Sequence, residues 1–487
     1  KLTKFQLVLG VISSEPVQLA RFLKGLALIV GHETLSTITI LIVANRGLEK
    51  AVRTTISENL PNGIRYKLIS DKDYLLNATL GAFGPCPQNS EGMLDIVNTR
   101  TILQKYLSAV MEQNPDSIGW IIDEDMTITS RTSSFLAWLP EFKRTGIDVL
   151  LGTFEGDSPN PGPNVLRVQL VDLFHNLERL HNSGIRGRTG LEEENKALRK
   201  AFPDYYYDLS RKHTSHLENP HWVEEMVEHE TVMKARNRLL EGANSLILGH
   251  PITRPLVATT PINPLNEIKD SVNRGGCTFI LNHATLAMTP NSIFHIGGRE
   301  ARRSDMMWAI VNRYFRGFSV KAVGFPVDHV ARNSLKVELN VPKVKAEIVG
   351  SAMYAGLMFF LANNPSHSLV FTKKDISEIQ SFIEQNLLDR MFQLEMSFYR
   401  IRGLHRSLKE NFDEPLIQPL MNQLEDLFSD EKWSNLHEEV MQHRTSDNVE
   451  FLTTIRDVAE DYAASDFESG FKNEQKLERC DSGVGTE

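Results

Sequence analysis

Three consecutive acidic residues directly follow a short apolar run. The run is Gly119-Trp120-Ile121-Ile122, and Asp123, Glu124 and Asp125 come straight after it. Ligands of open α/β sheets bind outside the carboxyl ends of the strands, and carboxylates placed there can hold a divalent cation that in turn holds phosphate oxygens. Three like charges side by side cost free energy unless a cation or solvent screens them. Alone, such a triplet favours a solvated acidic turn, but its position behind a buried strand reverses that preference.

The elements that must position this triplet alternate between strands and helices. Apolar runs predict five strands, at residues 5–12, 37–44, 64–69, 118–122 and 147–154. Amphipathic stretches predict helices between them, at residues 16–30, 48–60 and 133–143, and an apolar stripe at helical spacing, from Ile96 to Val110, predicts the helix that carries Arg100. This alternation predicts an α/β fold with a Rossmann-like, mostly parallel sheet that is covered by helices on both faces. A stretch rich in Gly, Pro and Asn, residues 71–95, is predicted to be a long loop.

The net charge, the cysteine pattern and the length of the apolar runs argue against several classes of protein. The formal net charge is −9, from 62 acidic and 53 basic residues, which argues against a nucleic-acid partner. Cys86, Cys277 and Cys480 are far apart and lack zinc-site spacing, so we expect a reducing compartment. No run reaches the ~18 apolar residues of a spanning helix, so we predict no integral membrane segment. Together these features predict a cytoplasmic protein, lying at a membrane surface if its substrate is a lipid.

The N-terminal βαβαβα unit, the helix that carries Arg100 and the strand that ends in Asp123-Glu124-Asp125 resemble the GT-A glycosyltransferases, in particular the family-2-like inverting enzymes. The resemblance covers roughly residues 5–330. It implies the transfer of a sugar from a UDP- or GDP-type nucleoside diphosphate donor to the hydroxyl of an acceptor that the sequence does not identify. It also implies Mn²⁺ or Mg²⁺ as cofactor.

The resemblance assigns residues to the donor site. Asp123 takes the place of the carboxylate that contacts the nucleotide ribose, and it is also a predicted metal ligand. Asp125 takes the place of the residue that binds the metal together with the diphosphate. Arg100 takes the place of an arginine near the diphosphate, although a solvent-facing helix charge is an equal interpretation. The nucleotide base of the family sits between the ends of strands one and three. Ser13, Asp71 and Asp73 lie there, although an ordinary polar turn is the favoured interpretation of any single one of them.

The resemblance also suggests acceptor-side residues. Asp305 lies near the start of the helix predicted for 303–315, where inverting members carry the general base; a favourable charge in a first helical turn is its other interpretation. His329, after the next strand, matches a further metal ligand of some members, and Asp328 beside it is an alternative. Arg299, Arg302 and Arg303 are candidates for steadying a diphosphate leaving group.

The chain is predicted to divide into five segments. These are a nucleotide-sugar-binding half (1–163), a helical insertion (164–262), an acceptor and catalytic half (263–343), an all-helical C-terminal region (344–465) and a disordered tail (466–487). The insertion and the C-terminal helices carry no motif; they are expected to shape the acceptor site or to form a homo-oligomer interface.

Three alternatives remain open from the residues. Asp123-Glu124-Asp125-Met126-Thr127 also matches the D-x-D-x-T of haloacid-dehalogenase-type phosphatases, in which the first Asp is the nucleophile. That motif normally sits on the first strand, and the downstream acidic pair is missing. A sugar-nucleotide pyrophosphorylase needs a Gly-rich loop where this chain has Ser13-Ser14-Glu15-Pro16. A catalytically inactive GT-A-like scaffold protein is the non-enzymatic alternative.

Overall fold

The computed structural model describes most of the 487 residues. The described ranges are 4–45, 47–84, 96–157, 162–182, 195, 197, 223–224, 226–227, 229–230, 231–250, 252–253, 262–273, 277–291, 294–296, 299–332, 337, 340–412, 414–467 and 478–479. Cys86, Cys480, the central part of the predicted insertion and most of the predicted disordered tail lie outside them.

Most of the described strands form one large sheet, and two short strands form a separate pair. In chain order they are β1 (Phe5–Ser13), β2 (Leu35–Ala44), β3 (Ile64–Ile69), β4 (Ile118–Ile122), β5 (Met126–Ile128), β6 (Val149–Gly156), β7 (Lys269–Asp270), β8 (Cys277–Ile280), β9 (His295–Ile296), β10 (Arg299–Glu300), β11 (Val320–His329) and β12 (Glu478–Arg479). Within the described ranges, ten of them pair in the order β12-β3-β2-β1-β4-β8-β6-β11-β5, with β7 on β11, and β9 pairs with β10.

Helices cover both faces of the sheet and make up the C-terminal region. They are α1 (Pro16–Gly25), α2 (Glu49–Asn59), α3 (Asp71–Thr79), α4 (Ile96–Glu112), α5 (Ser130–Leu136), α6 (Leu139–Arg144), α7 (Pro163–Asn182), α8 (Val232–Ala243), α9 (Ala284–Met288), α10 (Ser304–Ile310), α11 (Val341–Asn363), α12 (Lys373–Asn411), α13 (Gln418–Leu427), α14 (Asp430–Met441) and α15 (Thr445–Ala464). A short π-helix, Val311–Phe315, continues α10.

Six strands of the sheet share one direction. β3, β2, β1 and β4 are parallel to one another, and β11 is parallel to β6. β8 lies antiparallel between β4 and β6, so β6 runs in the same direction as β4. The predicted α/β fold with a mostly parallel, Rossmann-like sheet is therefore confirmed, and the carboxyl ends of these six strands lie along one edge.

The core explains why the strands are continuously apolar. All nine residues of β1 are buried. Leu7, Leu9 and Val11 belong to one apolar cluster, while Val8 and Ile12 belong to another on the opposite face. Because successive side chains of a strand point to opposite faces, a strand covered on both sides needs apolar residues at every position.

One of these clusters extends from the sheet into the C-terminal helices. Leu107 of α4 shares it with Ile379, Leu394 and Phe398 of α12. The helical C-terminal region thus packs on the same apolar core as one face of the sheet. The segment boundaries proposed from the sequence stay predictions.

By length and composition alone, one described helix is able to cross a bilayer. This helix is α11, with a mean hydropathy of 1.4 over its most apolar window. More than half of that window, 56%, is buried within the protein, where α11 packs against α12 and α14. A buried core helix has the same composition, so this is weak evidence for a membrane span.

Three element predictions were wrong in detail. Residues 71–79 are the helix α3 and not a loop, because Asp73 accepts hydrogen bonds from the backbone N–H and hydroxyl of Ser70 and caps the helix. The helix predicted at 16–30 ends at Gly25 and passes into a short 3₁₀ turn. The helix predicted at 133–143 is two helices, α5 and α6, since Pro140 in the first turn of α6 has no N–H to continue a helix.

Candidate active site

Four neighbouring strand ends bring the chemically interesting residues together. β1 ends at Ser13, β4 at Ile122, β6 at Gly156 and β11 at His329. Because these strands share a direction, the acidic triplet behind β4 lies between the end of β1 and the end of β11. The sheet order therefore places residues more than 200 positions apart in one site.

Glu124, the middle acid of the triplet, is bound to neighbouring parts of the protein. Its side chain is fully buried and accepts hydrogen bonds from the hydroxyl of Ser13 (2.8 Å), the backbone N–H and hydroxyl of Ser14 (2.9 and 3.1 Å) and the backbone N–H of Glu15 (3.0 Å). Burial raises the pKa of Glu124, and these donors partly offset that effect. Glu124 thus joins the end of β4 to the turn that begins α1.

Asp123 lies beside Arg100, as the predicted site requires. Nη2 of Arg100 is 3.2 Å from Oδ1 of Asp123, and the Asp123 side chain is 30% exposed. Burial alone would lower the pKa of Arg100, but the carboxylates of Asp123 and Asp305 together raise it. Arg100 is therefore a partly buried cation that faces two of the predicted site carboxylates.

Asp125 is more deeply buried than Asp123, the other predicted metal ligand of the triplet. Only 8% of the residue is exposed. Its Oδ2 atom accepts a hydrogen bond of 2.9 Å from Nε of Arg332, and Nε2 of His329 lies 3.5 Å away. Its Oδ1 atom is buried and has no hydrogen-bond partner. Burial would raise the pKa of Asp125, but His329 and Arg332 lower it to about 2.

His329 is oriented by its other ring nitrogen. Nδ1 lies 2.9 Å from the carbonyl oxygen of Asp157, and a carbonyl only accepts, so Nδ1 carries the hydrogen. Nε2 is therefore the atom that faces Asp125. Burial would lower the pKa of His329, but Asp125 and Asp157 raise it. Histidines that ligate metals are commonly held through the second nitrogen in this way.

A bulge and a glycine bring His329 to its position. The pairing of β11 with β6 shifts between Gly324 and Asp328, which re-aims the last residues of the strand. Gly156, opposite His329 in the register, has φ of +94°, and a Cβ atom there would lie 2.4 Å from the carbonyl oxygen of His329. Gly156 thus allows the end of β11 to approach the end of β6 closely.

Arg332 completes the site and was missed by the sequence analysis. Besides Asp125, it reaches the hydroxyl of Ser14 (3.2 Å), Glu124 (3.5 Å) and Glu15 (3.6 Å). It therefore neutralises part of the acidic cluster. The signal was weak, because a single arginine three residues after His329 forms no recognisable motif.

The residues proposed for the nucleotide base already have protein partners. Ser13 is fully buried and donates to Glu124. Asp73 accepts from Ser70, and Asp71 accepts a hydrogen bond of 2.7 Å from the hydroxyl of Tyr74. Asp71 is exposed, so its remaining lone pairs are available to a ligand. The predicted contact of these three residues with the base stays a prediction.

Asp305 lines a cavity beside Arg100. The cavity is small, about 10 Å³, which is room for about one water molecule, and its walls are Arg100, Gln104, Ile121, Thr278, Asn291, Asp305 and Trp308. Four buried polar atoms of this wall have no hydrogen-bond partner: Nε of Arg100, Nε2 of Gln104, Oγ1 of Thr278 and Oδ1 of Asn291. Buried polar groups are normally paired, so these atoms suit a ligand that carries hydroxyl groups.

The possible metal-ligating atoms at the strand ends fit a cation that is bound partly by the protein and partly by the substrate. Within the described ranges, no three or more His, Cys, Asp or Glu side chains are grouped so as to hold a metal. Two atoms are suited to it: the unpaired Oδ1 of Asp125 and Nε2 of His329. Mg²⁺ in particular often keeps its waters and takes only one or two protein carboxylates together with phosphate oxygens. The two residues therefore fit a cation completed by a diphosphate.

Comparisons with known proteins give little further information. No protein-family model matches the chain, and no curated protein matches its sequence. Among solved structures, the chain is similar to the crystal structure of mouse xyloside xylosyltransferase 1 in its apo form, with 10% identity and a TM-score of 0.22. The match covers 36% of this chain and 58% of that one. A likeness this low leaves function to the geometry of the site.

Proposed function

We propose that this protein is a glycosyltransferase that moves a sugar from a nucleoside diphosphate sugar of UDP or GDP type to an acceptor hydroxyl. The proposal rests chiefly on the pairing of Asp125 with His329. Oδ2 of Asp125 faces Nε2 of His329, whose other ring nitrogen is already held, and Oδ1 of the same carboxylate is buried without a partner. This pair stands at the carboxyl edge of a mostly parallel sheet, the usual place for a nucleotide.

Asp125 and His329 would hold Mn²⁺ or Mg²⁺. Such a cation, when bound, draws the diphosphate oxygens to this edge and stabilises the negative charge of the leaving nucleotide. Asp123, which is partly exposed, is placed to accept a hydrogen bond from a ribose hydroxyl. Arg100, which contacts Asp123, supplies a fixed positive charge close to the same diphosphate.

Asp305 is the proposed general base. It accepts the proton of the acceptor hydroxyl while that oxygen forms a bond to the anomeric carbon of the sugar. The bond from that carbon to the diphosphate breaks on the opposite face, and its electron pair leaves with the nucleotide. The product is therefore inverted at the anomeric carbon. Asp305 later loses the proton to water.

The cavity next to Asp305 supports this assignment. Gln104, Thr278 and Asn291 form part of the cavity wall and carry unpaired polar atoms. The hydroxyl groups of a sugar can donate hydrogen bonds to such atoms and accept hydrogen bonds from them. Trp308 adds an aromatic surface to the same wall. A single hydroxyl group that enters this small cavity would thus find hydrogen-bond partners beside the base.

A thermal-shift screen of nucleoside diphosphates and their sugars, with Mn²⁺ and with EDTA, tests the proposal. A nucleoside diphosphate should stabilise the protein only with the metal, by ~2.7 kcal/mol at a hundredfold excess over its dissociation constant. Asp125→Asn should abolish the metal-dependent part. Asp116→Asn is the matched control, because Asp116 is exposed and precedes the amino end of β4.

Equal stabilisation in EDTA contradicts the metal assignment. Metal-dependent binding without any sugar transfer, over a panel of hydroxyl acceptors, favours the inactive scaffold instead. Robust Mg²⁺-dependent release of phosphate from sugar phosphates favours the phosphatase alternative.

A further inference from the structure

A group of arginines surrounds Glu347 of α11. Nε of Arg302 lies 3.3 Å from Oε2 of Glu347, and Arg303 forms an ion pair with Oε1 of the same carboxylate. Nε of Arg303 also donates a hydrogen bond of 3.1 Å to the hydroxyl of Ser351, one turn further along α11. The two arginines thus lie along one face of α11, directly before the helix that carries Asp305.

The backbone at Arg303 is in a strained conformation. Arg303 has φ of +78°, a left-handed conformation that costs a residue with a side chain roughly 1–3 kcal/mol. Gly350 permits the approach, because a Cβ atom there would lie 2.4 Å from the carbonyl oxygen of Arg302. A strained turn pressed against a helix is therefore maintained where Arg302 and Arg303 meet Glu347.

Arg390 of α12 is the unexplained member of the group. It is only 3% exposed, and its Nε and Nη1 atoms are buried without a hydrogen-bond partner. The positive charge of Arg303 and the negative charges of Glu347 and Asp389 all act on it. Among the described residues, the charges that act on Arg390 thus include one further guanidinium, and neither carboxylate forms a hydrogen bond with its Nε or Nη1.

An arginine does not relieve such a site by losing its proton. Burial, followed by the charge of Arg303, lowers the pKa of Arg390 to about 9, which leaves it charged at neutral pH. A buried charge without hydrogen bonds is costly unless a counter-charge joins it. The two unpaired N–H groups of Arg390 are therefore suited to a negatively charged partner.

We propose that Arg302, Arg303 and Arg390 bind a phosphate group carried by the acceptor substrate. Guanidinium groups are strong donors to phosphate oxygens, and Nε and Nη1 of Arg390, which lie on different edges of its guanidinium, each have an unpaired N–H to offer. Arg302, whose side chain is 40% exposed, leaves the group open to solvent on one side.

The position of the site identifies the acceptor as the molecule concerned. Arg303 is two residues before Asp305, the proposed base, whereas the proposed diphosphate site lies at the ends of β4 and β11. An acceptor held by its phosphate at the arginines would have its hydroxyl group near Asp305. This step depends on the proposed function, while the anion site itself depends only on the arginines.

Thermal shift with inorganic phosphate and with glycerol phosphate, at matched ionic strength against chloride, tests the site. The melting temperature of the wild type should rise by on the order of 3 °C at a hundredfold excess over the dissociation constant. Arg390→Met should lose this rise and should melt no lower than the wild type without phosphate, because it removes an unpaired buried charge. Arg406→Met, an exposed position of the same helix, should retain the rise.

Arg303→Gln provides a second variant if Arg390→Met does not fold, and it should also lose the rise. Absence of a rise in the wild type, or an undiminished rise in both variants, overturns the site. A rise with inorganic phosphate but none with glycerol phosphate overturns the assignment to an acceptor. Arg390-dependent binding to vesicles containing phosphatidic acid, but not to phosphatidylcholine vesicles, supports the site and identifies a lipid as the source.

Asp125→Asn separates this proposal from the proposed function. The variant should keep the full phosphate-dependent rise while losing metal-dependent nucleotide binding. If phosphate stabilisation disappears in Asp125→Asn, the anion binds at the strand ends and the arginine site is wrong. If the rise persists but no nucleoside diphosphate binds with Mn²⁺, the anion site stands and the transferase proposal fails.

Discussion

Nε2 of His329 lies 3.5 Å from Oδ2 of Asp125, although 204 positions separate the two residues in the chain. Without a cation, the pair is strongest when the imidazole is protonated. A divalent cation, in contrast, requires the neutral imidazole. A proton and a metal ion therefore compete for the same nitrogen, and the two states should respond to pH with opposite signs.

The first prediction concerns the metal-free protein. The pKa of His329 is raised above its ordinary 6.5, so its contribution to stability is complete below pH 6.5 and is lost as the pH rises through the raised pKa. Asp125, with its pKa lowered to about 2, contributes above pH 3.8 and loses its contribution as the pH falls toward 2. Urea unfolding in EDTA should therefore show the largest loss from His329→Gln between pH 3.8 and 6.5.

The affinity for Mn²⁺ should increase as the pH rises, whereas the contribution of His329 to the stability of the metal-free protein decreases. Below the pKa of His329 the affinity should rise ~tenfold per pH unit, because binding releases one proton, and it should then level off. His367→Gln is the control, since His367 lies 3.9 Å from Asp375 in a similar pair remote in sequence. An affinity that is flat with pH in the wild type argues that His329 does not bind the metal.

The second prediction concerns Asp305→Asn. If Asp305 is the general base, turnover should fall ~10²–10⁴-fold, while the affinity for the donor sugar and metal should remain. Stability should change little, since a charge in a first helical turn is worth only ~0.3–1 kcal/mol. Turnover, donor affinity and melting temperature should be measured on one preparation. Turnover within roughly threefold of the wild type, far short of the loss of a base, would point to Asp328 or to a retaining mechanism.

The third prediction concerns the close approach of β6 and β11. Gly156→Ala should lower stability and also weaken metal-dependent nucleotide binding, because a Cβ atom 2.4 Å from the His329 carbonyl oxygen must displace that residue. Gly146→Ala is the control. Gly146 has φ of +80° with no atom within 4 Å of the added carbon, so it should show only the ~1–2 kcal/mol of backbone strain. Equal effects of the two variants on nucleotide binding would show that the position of His329 is unimportant.

The fourth prediction concerns Glu124→Gln. The buried carboxylate accepts from Ser13, Ser14 and Glu15, and an amide replaces one acceptor oxygen with a donor. We expect a loss of ~1–3 kcal/mol in the free energy of unfolding, from donors left unpaired. Asp123→Asn, at a partly exposed position, should cost less. Denaturant titration measures both; an unchanged stability together with lost metal binding would make Glu124 a ligand.

Much of the fold was determined by the local pattern of the sequence. Continuous apolar runs predicted β1, β2 and β4 because a strand buried on both faces has no polar positions. The same reasoning placed Asp123 and Asp125 at the end of a buried strand and placed Arg100 on the preceding helix. α3 was missed since its cap, Ser70 with Asp73, lies in a stretch whose composition is typical of a loop.

Only the tertiary structure decided how the acids are used. Within one triplet, Asp123 faces Arg100, Glu124 is buried against the end of β1, and Asp125 meets His329 and Arg332. The sequence gives these three neighbours similar chemistry and no means of ranking them. Their environments differ because the partners come from β1, α4 and the segment after β11. The order of strands in the sheet, set by contacts distant in sequence, fixes which partner each carboxylate meets.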